Sequence, residues 1–566
     1  MVDPENGFAT CGSAQVNDAF DCPWHGGDTA AFEVDLLTWM GAAWVRHGAW
    51  MDHMVRADGS VDFNCEESRR LELAHALTQR GIRVCAVVTG HPLSTPGSRD
   101  LAEVSRCWRL MGEQIGRDVA AVEFMNECDA WGSPPWGVAA ELKAALYGLR
   151  QGNPHVLAGH PSITGMRRDF YVNGLWESGV ARYTDFVNYH YYGAAAQFPA
   201  SLAYMRQRDG RHGLWDRELW ITEQGSYTEG RGWERDEGRW AHFARHSEGQ
   251  ELAVAEYLVK NQLLNRMLGV KRTFAWHLTP FNEYEGTKDW SFGLRRDGTV
   301  KPGFAAFATL ARELGTGVCV GSFNVPREVT GVLTYLYRMP DGSYTLAYWS
   351  CTEVDSEYHG QNGFREATLE TRETSIPAAD GTYRNSDMCG VVSALVASGG
   401  RLPLNAQRYP QYVSGLRYET LEDKTVYPAV DPGRPGALAD AGDADLSLVL
   451  RLDADRADFW HQTRGDRCDL PLTLTNAVGR LRFECWNLSD VAKTGTVRVA
   501  KGPLVCTGLD APLVVPARGK VTFEGRVRRE RLAADAPTPF ALVGRFNGRE
   551  TTPLAFAFGK LDGARK

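Results

Sequence analysis

Two glutamates, Glu127 and Glu223, carry the strongest chemical signal in this sequence. Each closes a short apolar run, in Ala-Val-Glu-Phe-Met-Asn-Glu127 and Glu-Leu-Trp-Ile-Thr-Glu223, so each side chain is expected at the C-terminal end of a strand. Paired carboxylates there can cleave a glycosidic bond, because one acid protonates the leaving oxygen while the other attacks the anomeric carbon. The two residues therefore predict hydrolysis of a glycoside.

Alternating strand and helix patterns must position this pair. Amphipathic stretches, at residues 66–80, 101–115, 138–151 and 250–268, separate the apolar runs. The strand candidates are residues 8–14, 43–46, 83–89, 121–125, 155–160, 186–190, 218–222 and 272–276. No glycine-rich phosphate loop follows the first of them. The pattern predicts an α/β fold, a (β/α)8 TIM barrel over residues 1–315, with its chemistry at the C-terminal ends of the strands.

The sequence beyond residue 315 reads as all-β. Pro340-Asp-Gly342 marks a hairpin turn between two half-buried strands, and further short strands with turn signals follow. We expect a β-sandwich packed on the barrel over residues 316–427 and a Pro- and Gly-rich linker over 428–443. An immunoglobulin-like β-sandwich is expected over 444–566.

Composition limits the partners and the location. The 566 residues carry a net charge of −8, which gives no basic footprint for nucleic acid, and no apolar run approaches the roughly 20 residues of a membrane span. We expect a secreted, periplasmic or cell-surface protein whose signal peptide has been removed, with a cytoplasmic location as the alternative. The twelve cysteines predict buried free thiols, or pairs such as Cys11/Cys22 and Cys468/Cys485 after export. The oligomeric state is left open.

The spacing of the two glutamates leads to a family resemblance. The 96 positions from Glu127 to Glu223 equal three βα units of about 32 residues, which places them on the fourth and seventh strands, across the barrel mouth. Strands ending there in Asn-Glu and Thr-Glu resemble those of clan A retaining glycoside hydrolases, a group that includes cellulases, mannanases, β-xylosidases and β-1,3-glucanases. Residues 290–304 are similar to the clan's exit from the eighth strand. The resemblance covers residues 8–315 and selects the clan, not one family within it.

The resemblance implies a role for each matching residue. Glu127 would be the general acid/base and Glu223 the nucleophile, and Asn126 would bond the 2-hydroxyl of the attacked sugar. Arg46 would keep Glu223 ionised, with an interior ion pair to Glu123 as its alternative role. The other implied contacts are His190 and Tyr192, which orient the nucleophile or line the subsite, and Trp276, the floor beneath the −1 sugar.

Residues on the loops after the strands are further candidates for sugar contacts. Trp131 and Trp136 follow Glu127 and are placed either to stack on leaving-group sugars or to pack within the loop. The residues expected to line glycone subsites are Trp50 and His91, together with Trp24 and His25. Cys128 follows Glu127 where the clan often has proline, so the match to any one family is weaker.

These residues predict a retaining β-glycoside hydrolase that acts by double displacement on a β-linked polysaccharide or oligosaccharide. A β-glucan is favoured, and β-mannan, β-xylan and β-galactan stay open. The expected partner is a carbohydrate, with no cofactor and no metal ion. One alternative is a barrel that binds carbohydrate without cleaving it. The other is a metal-dependent hydrolase, which lacks short ligand spacings and would have to use His91, His160, His190 and His277.

Overall fold

Eight parallel strands close into a barrel in the computed structural model of the protein. They pair in sequence order, and the first pairs with the last, which confirms the predicted (β/α)8 barrel. The strands are β1 (Phe8–Cys11), β2 (Trp44–Trp50), β3 (Arg83–Thr89), β4 (Ala121–Phe124), β5 (Leu157–Gly159), β6 (Phe186–His190), β7 (Glu218–Gln224) and β8 (Arg272–Ala275). The described residues are 8–11, 29–56, 58–63, 70–89, 100–130, 133–193, 197–225, 248–276, 278, 295–296, 299–325, 330–350, 371–424, 426–433, 444–453, 459–460, 472–474, 476–507, 509, 511–533 and 536–560.

Helices cover the outside of the barrel, and four of them overlap the amphipathic stretches found in the sequence. They are α1 (Thr29–Met40), α2 (Met51–Met54), α3 (Arg70–Gln79), α4 (Leu101–Ile115), α5 (Pro135–Gly152), α6 (Asp169–Glu177), α7 (Phe198–Gly210), α8 (Glu248–Met267) and α9 (Pro302–Leu314). Helix α4 begins after Asp100, whose carboxylate accepts hydrogen bonds from the first-turn amides of Ala102 and Glu103. Helix α5 begins at a proline, which suits the first turn because it lacks an amide donor.

Helices α4 and α5 flank β4 and are in close contact. A Cβ atom at Gly148 would lie 2.0 Å from the backbone oxygen of Ser105, and one at Gly152 would lie 2.1 Å from that of Arg109. Glycine is therefore required at both positions, because any larger residue would force the helix backbones apart. This contact fixes the two helices on either side of the strand that leads to Glu127.

Strand alternation divides the barrel interior into an aromatic layer and a polar layer. The aromatic layer contains Phe186 and Trp220, whose rings stack with centroids 3.8 Å apart, and Trp44, which meets Trp220 edge-on at 5.3 Å. Two residues further along these strands, the inward positions become polar, as at Arg46 on β2 and Asn188 on β6. The aromatic layer therefore closes the barrel beneath a buried polar layer.

Strands β5 and β6 are joined irregularly. They share one register pair, Gly159 with Phe186, and then a single bridge between Ile163 and Tyr189. Between these points the buried His160 ring takes the place of backbone hydrogen bonds between the two strands, because its Nε2 accepts a hydrogen bond from the Asn188 amide at 3.0 Å. Its Nδ1 donates to the Pro161 oxygen at 2.6 Å. Burial lowers the pKa of His160 to about 4, so the ring is neutral. Both nitrogens are occupied, and His160 is not available as the metal ligand that the second alternative needs.

The first all-β domain follows the barrel. Its main sheet has seven strands, and the predicted hairpin around Pro340-Asp-Gly342 forms its centre, with residue pairs running from Val332/Ser350 to Arg338/Tyr344. A separate two-stranded hairpin, β9 (Arg295–Arg296) and β10 (Thr299–Val300), lies between β8 and α9. The strands of the all-β domain are β11 (Val318–Ser322), β12 (Val332–Arg338), β13 (Tyr344–Ser350), β14 (Arg372–Pro377), β15 (Gly381–Ser386), β16 (Val392–Ala397), β17 (Arg401–Ala406), β18 (Gln411–Leu416) and β19 (Tyr427–Pro428). The order in the main sheet is β16-β15-β18-β13-β12-β11-β19, and β14 pairs with β17.

The second all-β domain contains a four-stranded sheet and a seven-stranded sheet. Phe483 and Phe523 of the first share an apolar core with Phe540 and Phe556 of the second, as expected for a sandwich. The strands are β20 (Leu448–Leu452), β21 (Phe459–Trp460), β22 (Leu472–Leu474), β23 (Val478–Asn487), β24 (Lys493–Lys501), β25 (Val505–Thr507), β26 (Leu513–Val515), β27 (Gly519–Arg528), β28 (Thr538–Phe546), β29 (Arg549–Glu550) and β30 (Leu554–Lys560). The sheet orders are β20-β23-β27-β25 and β21-β22-β30-β28-β24-β26, with β29 paired to β28.

The two all-β domains pack on different sides of the barrel. The first contacts α8 and α9, where Glu313 accepts two hydrogen bonds from Arg384. The second contacts α5 and α6 through Trp136, which is 5% exposed and packs 5.7 Å from the Phe556 ring. The prediction of Trp136 as a sugar-stacking residue is therefore wrong, because its ring is buried in the core of the C-terminal domain.

The predicted domain boundaries and the immunoglobulin-like topology stay predictions. Of the predicted linker, residues 428–433 are described, and they begin in contact with their neighbours: Ala429 donates to the Val320 oxygen and Val430 to the Met267 oxygen. Seven cysteines in the described part of the chain, among them Cys485, are free thiols, and Cys468, its proposed partner, lies outside the described residues. No helix in the described part of the chain is long and apolar enough to cross a membrane.

Candidate active site

Arg46 joins three strands at the centre of the barrel. It is 2% exposed, and its Nη1 donates to Glu223 Oε1 at 2.8 Å. Its Nη2 donates to Glu123 Oε1 at 2.6 Å and to Asn126 Oδ1 at 2.8 Å. Both contacts proposed from the sequence, to the predicted nucleophile and to Glu123, are therefore made by one guanidinium, whose planar fork can bond several oxygens at once.

The two predicted catalytic carboxylates meet at His190. Its Nδ1 lies 2.7 Å from Glu127 Oε1 and 3.2 Å from Glu223 Oε2. Tyr192 donates its hydroxyl to Glu223 Oε2 at 2.6 Å. The structure thus brings together Glu127, Glu223, His190 and Tyr192. His190 is buried, while the Glu127 side chain keeps 26% of its surface exposed and opens towards the barrel mouth.

The backbone that carries Glu127 is strained. Met125 and Glu127 have φ angles of 60° and 47°, in a left-handed region that non-glycine residues rarely occupy, at a cost of about 1–3 kcal/mol each. The turn is held because Ala130 donates its amide to the Glu127 oxygen at 2.9 Å. Such a turn ends β4 abruptly and directs both Asn126 and Glu127 towards the polar layer.

Ser162 was not among the residues predicted from the sequence. It is fully buried between the two pairing points of β5 and β6, and its Oγ donates to Asn126 Oδ1 at 3.1 Å. The amide of Glu127 lies 3.4 Å from the same Oγ. A polar residue just beyond a barrel strand is the signal that could have identified it.

A second contact, also missed in the sequence, ties the loop after β4 to the loop after β5. The buried Asp129 accepts a hydrogen bond from the Thr164 amide at 3.1 Å, and Arg168 Nε lies 3.4 Å from its Oδ2. Burial raises the pKa of Asp129, and the nearby charge of Glu127 acts in the same direction. The contact therefore fixes the segment that follows Glu127.

Burial and neighbouring charges shift the pKa values of the buried acids in different directions. Burial raises the pKa of Glu223 above its ordinary value, although His190 and Arg46 oppose this. Burial would also raise the pKa of Glu127, but the hydrogen bond and charge of His190 outweigh it and lower the pKa. Arg46 likewise lowers the pKa of Glu123 against the effect of burial. The two carboxylates raise the pKa of His190, although burial opposes this.

The same cluster has donor atoms that a metal ion could use. One ligand atom each from Glu127, His190 and Glu223 lie within 4.8 Å of one another, in the part of the chain that the structure describes. Two carboxylates and an imidazole suit a divalent transition metal. The guanidinium of Arg46, 2.8 Å from Glu223, already supplies a positive charge beside them, which disfavours a second cation.

The structure describes only some of the remaining residues that the sequence predicted for the site. Trp276 follows β8, is half-buried against the interior aromatic layer, and donates its amide to the Gln224 oxygen at 2.9 Å. Trp50 ends β2, but its side chain lies outside the described part of the structure. The residues that fall wholly outside the described ranges are Trp24, His25, His91, Trp131 and His277.

Comparison with known proteins identifies the fold. No protein-family model and no curated protein sequence matches the chain. A family 39 glycoside hydrolase from the gut symbiont Bacteroides cellulosilyticus WH2 matches with a TM-score of 0.56 and 16% identity, over 73% of this chain and 82% of that one. A glucosidase from Croceicoccus marinus matches with a TM-score of 0.54 and 13% identity, over 73% of this chain and 96% of that one. At these identities the matches show that the chain shares the barrel fold of the two structures, which agrees with the fold expected from the sequence.

Replacing Arg46 with methionine should lower the free energy of unfolding at neutral pH by about 3–5 kcal/mol, because Glu123 is left charged and buried without its cation. Arg46 holds the pKa of Glu123 below its ordinary value, so the stability from this pair is present at neutral pH and is lost as the pH falls through that folded pKa. In the variant, the attraction of Arg46 is lost, so burial raises the pKa of Glu123 against the weaker effects of His190 and Ser162 and favours protonation. The defect should therefore shrink in acid, which urea unfolding at several pH values would show.

The matched control is Arg56→Met, which removes an exposed ion pair with Asp62 and should cost about 0–1 kcal/mol. Equal losses for the two variants, or an Arg46 defect that does not change with pH, would contradict the buried-charge explanation.

Proposed function

We propose that the protein is a retaining β-glycoside hydrolase. The observation that carries this proposal is the placement of Glu127 after β4 and Glu223 on β7, with carboxylate oxygens within 4.8 Å of each other. Inverting enzymes need roughly 6.5–9.5 Å between the carboxyl groups to admit a water molecule, whereas retaining enzymes use roughly 5–5.5 Å. The 4.8 Å limit joins one oxygen of each carboxylate, so it supports two acids that face each other closely, and double displacement is proposed from the resemblance to clan A retaining enzymes. The two structures that share the fold are named as a glycoside hydrolase and a glucosidase, which agrees with this class.

Glu223 is assigned as the nucleophile. Arg46 bonds its Oε1, and Tyr192 bonds its Oε2 at 2.6 Å. Both oxygens are oriented before a sugar binds, and each donor favours the ionised form that attacks the anomeric carbon. Attack breaks the glycosidic bond and forms a glycosyl ester on Glu223, which water hydrolyses in the second step.

Glu127 is assigned as the acid/base, which protonates the leaving oxygen and then deprotonates the incoming water. The first step needs Glu127 protonated and Glu223 ionised, yet contact with His190 lowers the pKa of Glu127. A sugar bound at the barrel mouth would cover the exposed 26% of the Glu127 side chain. This further burial raises its pKa, because burial disfavours the charged form. Substrate binding thus favours the acid form that the first step consumes.

The proposed substrate is a β-linked polysaccharide or oligosaccharide. In this proposal Asn126 bonds the 2-hydroxyl of the −1 sugar, and Trp276, the residue after β8, forms the floor beneath it. A β-glucan is favoured, with β-mannan, β-xylan and β-galactan as the other candidates. Release of reducing sugar from a panel of these four polymers would identify the class.

Glu223→Ala should lower kcat on an aryl β-glycoside by about 10⁴-fold or more, because the attacking group is gone. Azide should restore turnover, since a small anion fits the space of the missing carboxylate. It attacks from the nucleophile side, so the product is an α-glycosyl azide, which proton NMR would identify. The unmodified protein should release a β-hemiacetal as its first product. Near-normal activity of the variant, or initial release of an α-hemiacetal by the unmodified protein, would contradict double displacement.

Glu127→Ala should lose about 10²–10⁴-fold in kcat/KM on substrates with poor leaving groups. Its loss should be much smaller on a dinitrophenyl glycoside, whose leaving group departs without protonation. The measurement is a plot of log kcat/KM against leaving-group pKa, which should be steeper for the variant. Glu113→Ala, an exposed change on α4, is the control and should leave the plot unchanged. Parallel plots for the Glu127 variant and the unmodified protein would remove Glu127 from the acid/base role.

His190→Asn should move both limbs of the pH profile of kcat/KM to higher pH. His190 lowers the pKa of both Glu127 and Glu223 by its charge, so its removal lets both values rise. The limbs report the ionisation of this coupled pair in the free protein. His75→Asn, an exposed change on α3, should leave both limbs in place. Unchanged limbs in the His190 variant would show that its charge does not control the carboxylates.

A further inference from the structure

The Ser162 hydroxyl contacts the residues of the proposed active site, although Ser162 takes no part in the pairing of β5 with β6. Residues 160–162 leave the β5–β6 ladder between Gly159 and Ile163, and the Ser162 hydroxyl is fully buried in the polar layer. It donates to Asn126 Oδ1 at 3.1 Å and accepts from the Glu127 amide at 3.4 Å. Arg46 Nη2 lies 3.5 Å from the hydroxyl, but both of its hydrogens are directed to Glu123 and Asn126, at 2.6 Å and 2.8 Å.

These contacts determine which way the Asn126 carboxamide is turned. Its Oδ1 accepts from Arg46 Nη2 at 2.8 Å and from Ser162, so both lone pairs of the oxygen are used. The opposite orientation would place the amide NH₂ against the guanidinium, donor against donor. The NH₂ group is therefore left on the other side, and no described residue accepts a hydrogen bond from it. Asn126 is half-buried, at the same end of the barrel as the two carboxylates.

We propose that Ser162 is a positioning residue that fixes the Asn126 carboxamide so that Nδ2 donates to the substituent at C2 of the −1 sugar. The proposal rests on the proposed function, and it restricts the substrate class to sugars whose C2 group accepts a hydrogen bond. Ser162 does not touch the sugar. It acts through Asn126, with Arg46 as the second donor that holds the same oxygen.

Glu123 is the competing acceptor for the Ser162 proton. Its carboxylate is also within hydrogen-bonding reach of Ser162, which helps to lower the pKa of Glu123. If the Ser162 hydroxyl donated to Glu123 instead, it would stabilise the buried ion pair of Glu123 with Arg46. The Asn126 oxygen would then be held by its hydrogen bond from Arg46 alone. The two roles of Ser162 differ in their consequences for activity. Only the positioning of Asn126 makes the effect of Ser162 depend on the C2 group of the substrate.

The test compares two aryl β-glycosides that differ only in having hydroxyl or hydrogen at C2. Ser162→Ala should lower kcat/KM on the 2-hydroxy substrate by about 10-fold, the value of one neutral hydrogen bond, and on the 2-deoxy substrate by less than about twofold. Asn126→Ala and the Asn126→Ala/Ser162→Ala double variant should show the same activity. Equal losses on both substrates, or additive losses in the double variant, would overturn the proposal and assign the hydroxyl to Glu123.

Ser133→Ala is the matched control. Ser133 is another buried serine, on the loop after β4, and its hydroxyl has no partner among the described residues. Its replacement should leave kcat/KM unchanged on both substrates. A Ser133 variant that reproduces the Ser162 pattern would overturn the proposal, because loss of any buried hydroxyl near β4 would then be sufficient.

Crystal structures of the unmodified protein and the Ser162→Ala variant test the proposal without any assay of activity. The Asn126 carboxamide should rotate or take two positions in the variant, while Glu123 and Arg46 stay paired. An unmoved, fully ordered carboxamide would overturn the positioning role. If the unmodified protein cleaves no glycoside, the proposed function fails, and the crystal structures still decide the role of Ser162.

Discussion

The burial of one positive charge, on Arg46, is the constraint on which the rest of the site depends. A guanidinium in the centre of a barrel requires anionic and amide oxygens around it, and here β4 and β7 supply them through Glu123, Asn126 and Glu223. Glu123 has no place in the proposed chemistry, and its role is to balance this charge. With that balance in place, a carboxylate on β7 can be both buried and ionised, which a nucleophile requires.

The same constraint explains the backbone around Glu127, the proposed acid/base. Asn126 must reach Arg46, while Glu127, the next residue, must reach His190, and an extended strand would direct consecutive side chains to opposite faces. The left-handed conformations at Met125 and Glu127 allow both contacts. The strain is offset by loop contacts: Ser162 and Thr164, from the irregular end of β5, contact the Glu127 amide and Asp129 on the loop after β4.

Regular periodicity made most of the fold predictable from sequence. All eight barrel strands and four helices lie where the apolar patterns place them, and the contact between Arg46 and Glu223 was expected from the family resemblance. Strand β2 continues to Trp50, so Arg46 lies within the strand, whereas the sequence had predicted it at the strand end. Ser162 was missed because the chain leaves the ladder after Gly159, so period-two counting does not show that its side chain faces inward. Trp136 was misassigned because a tryptophan after a catalytic strand can pack on a sugar or on protein. Here Trp136 packs on the apolar surface of the C-terminal domain, which begins more than 300 residues further along the sequence, so local patterns do not reveal the contact.

The way the C-terminal sandwich packs on α5 limits how this barrel can be reused. Apolar residues on α4 and α5, among them Leu101, Ala140 and Ala144, share a core with Val449, Trp486 and Leu488 of the sandwich. Lys143, also on α5, is buried and donates to the Pro553 oxygen at 2.8 Å. A barrel separated from the sandwich would expose this apolar strip beside the helix that follows Glu127. The barrel is therefore not a module that can be separated from the sandwich, and gene fusions or truncations must carry both parts together.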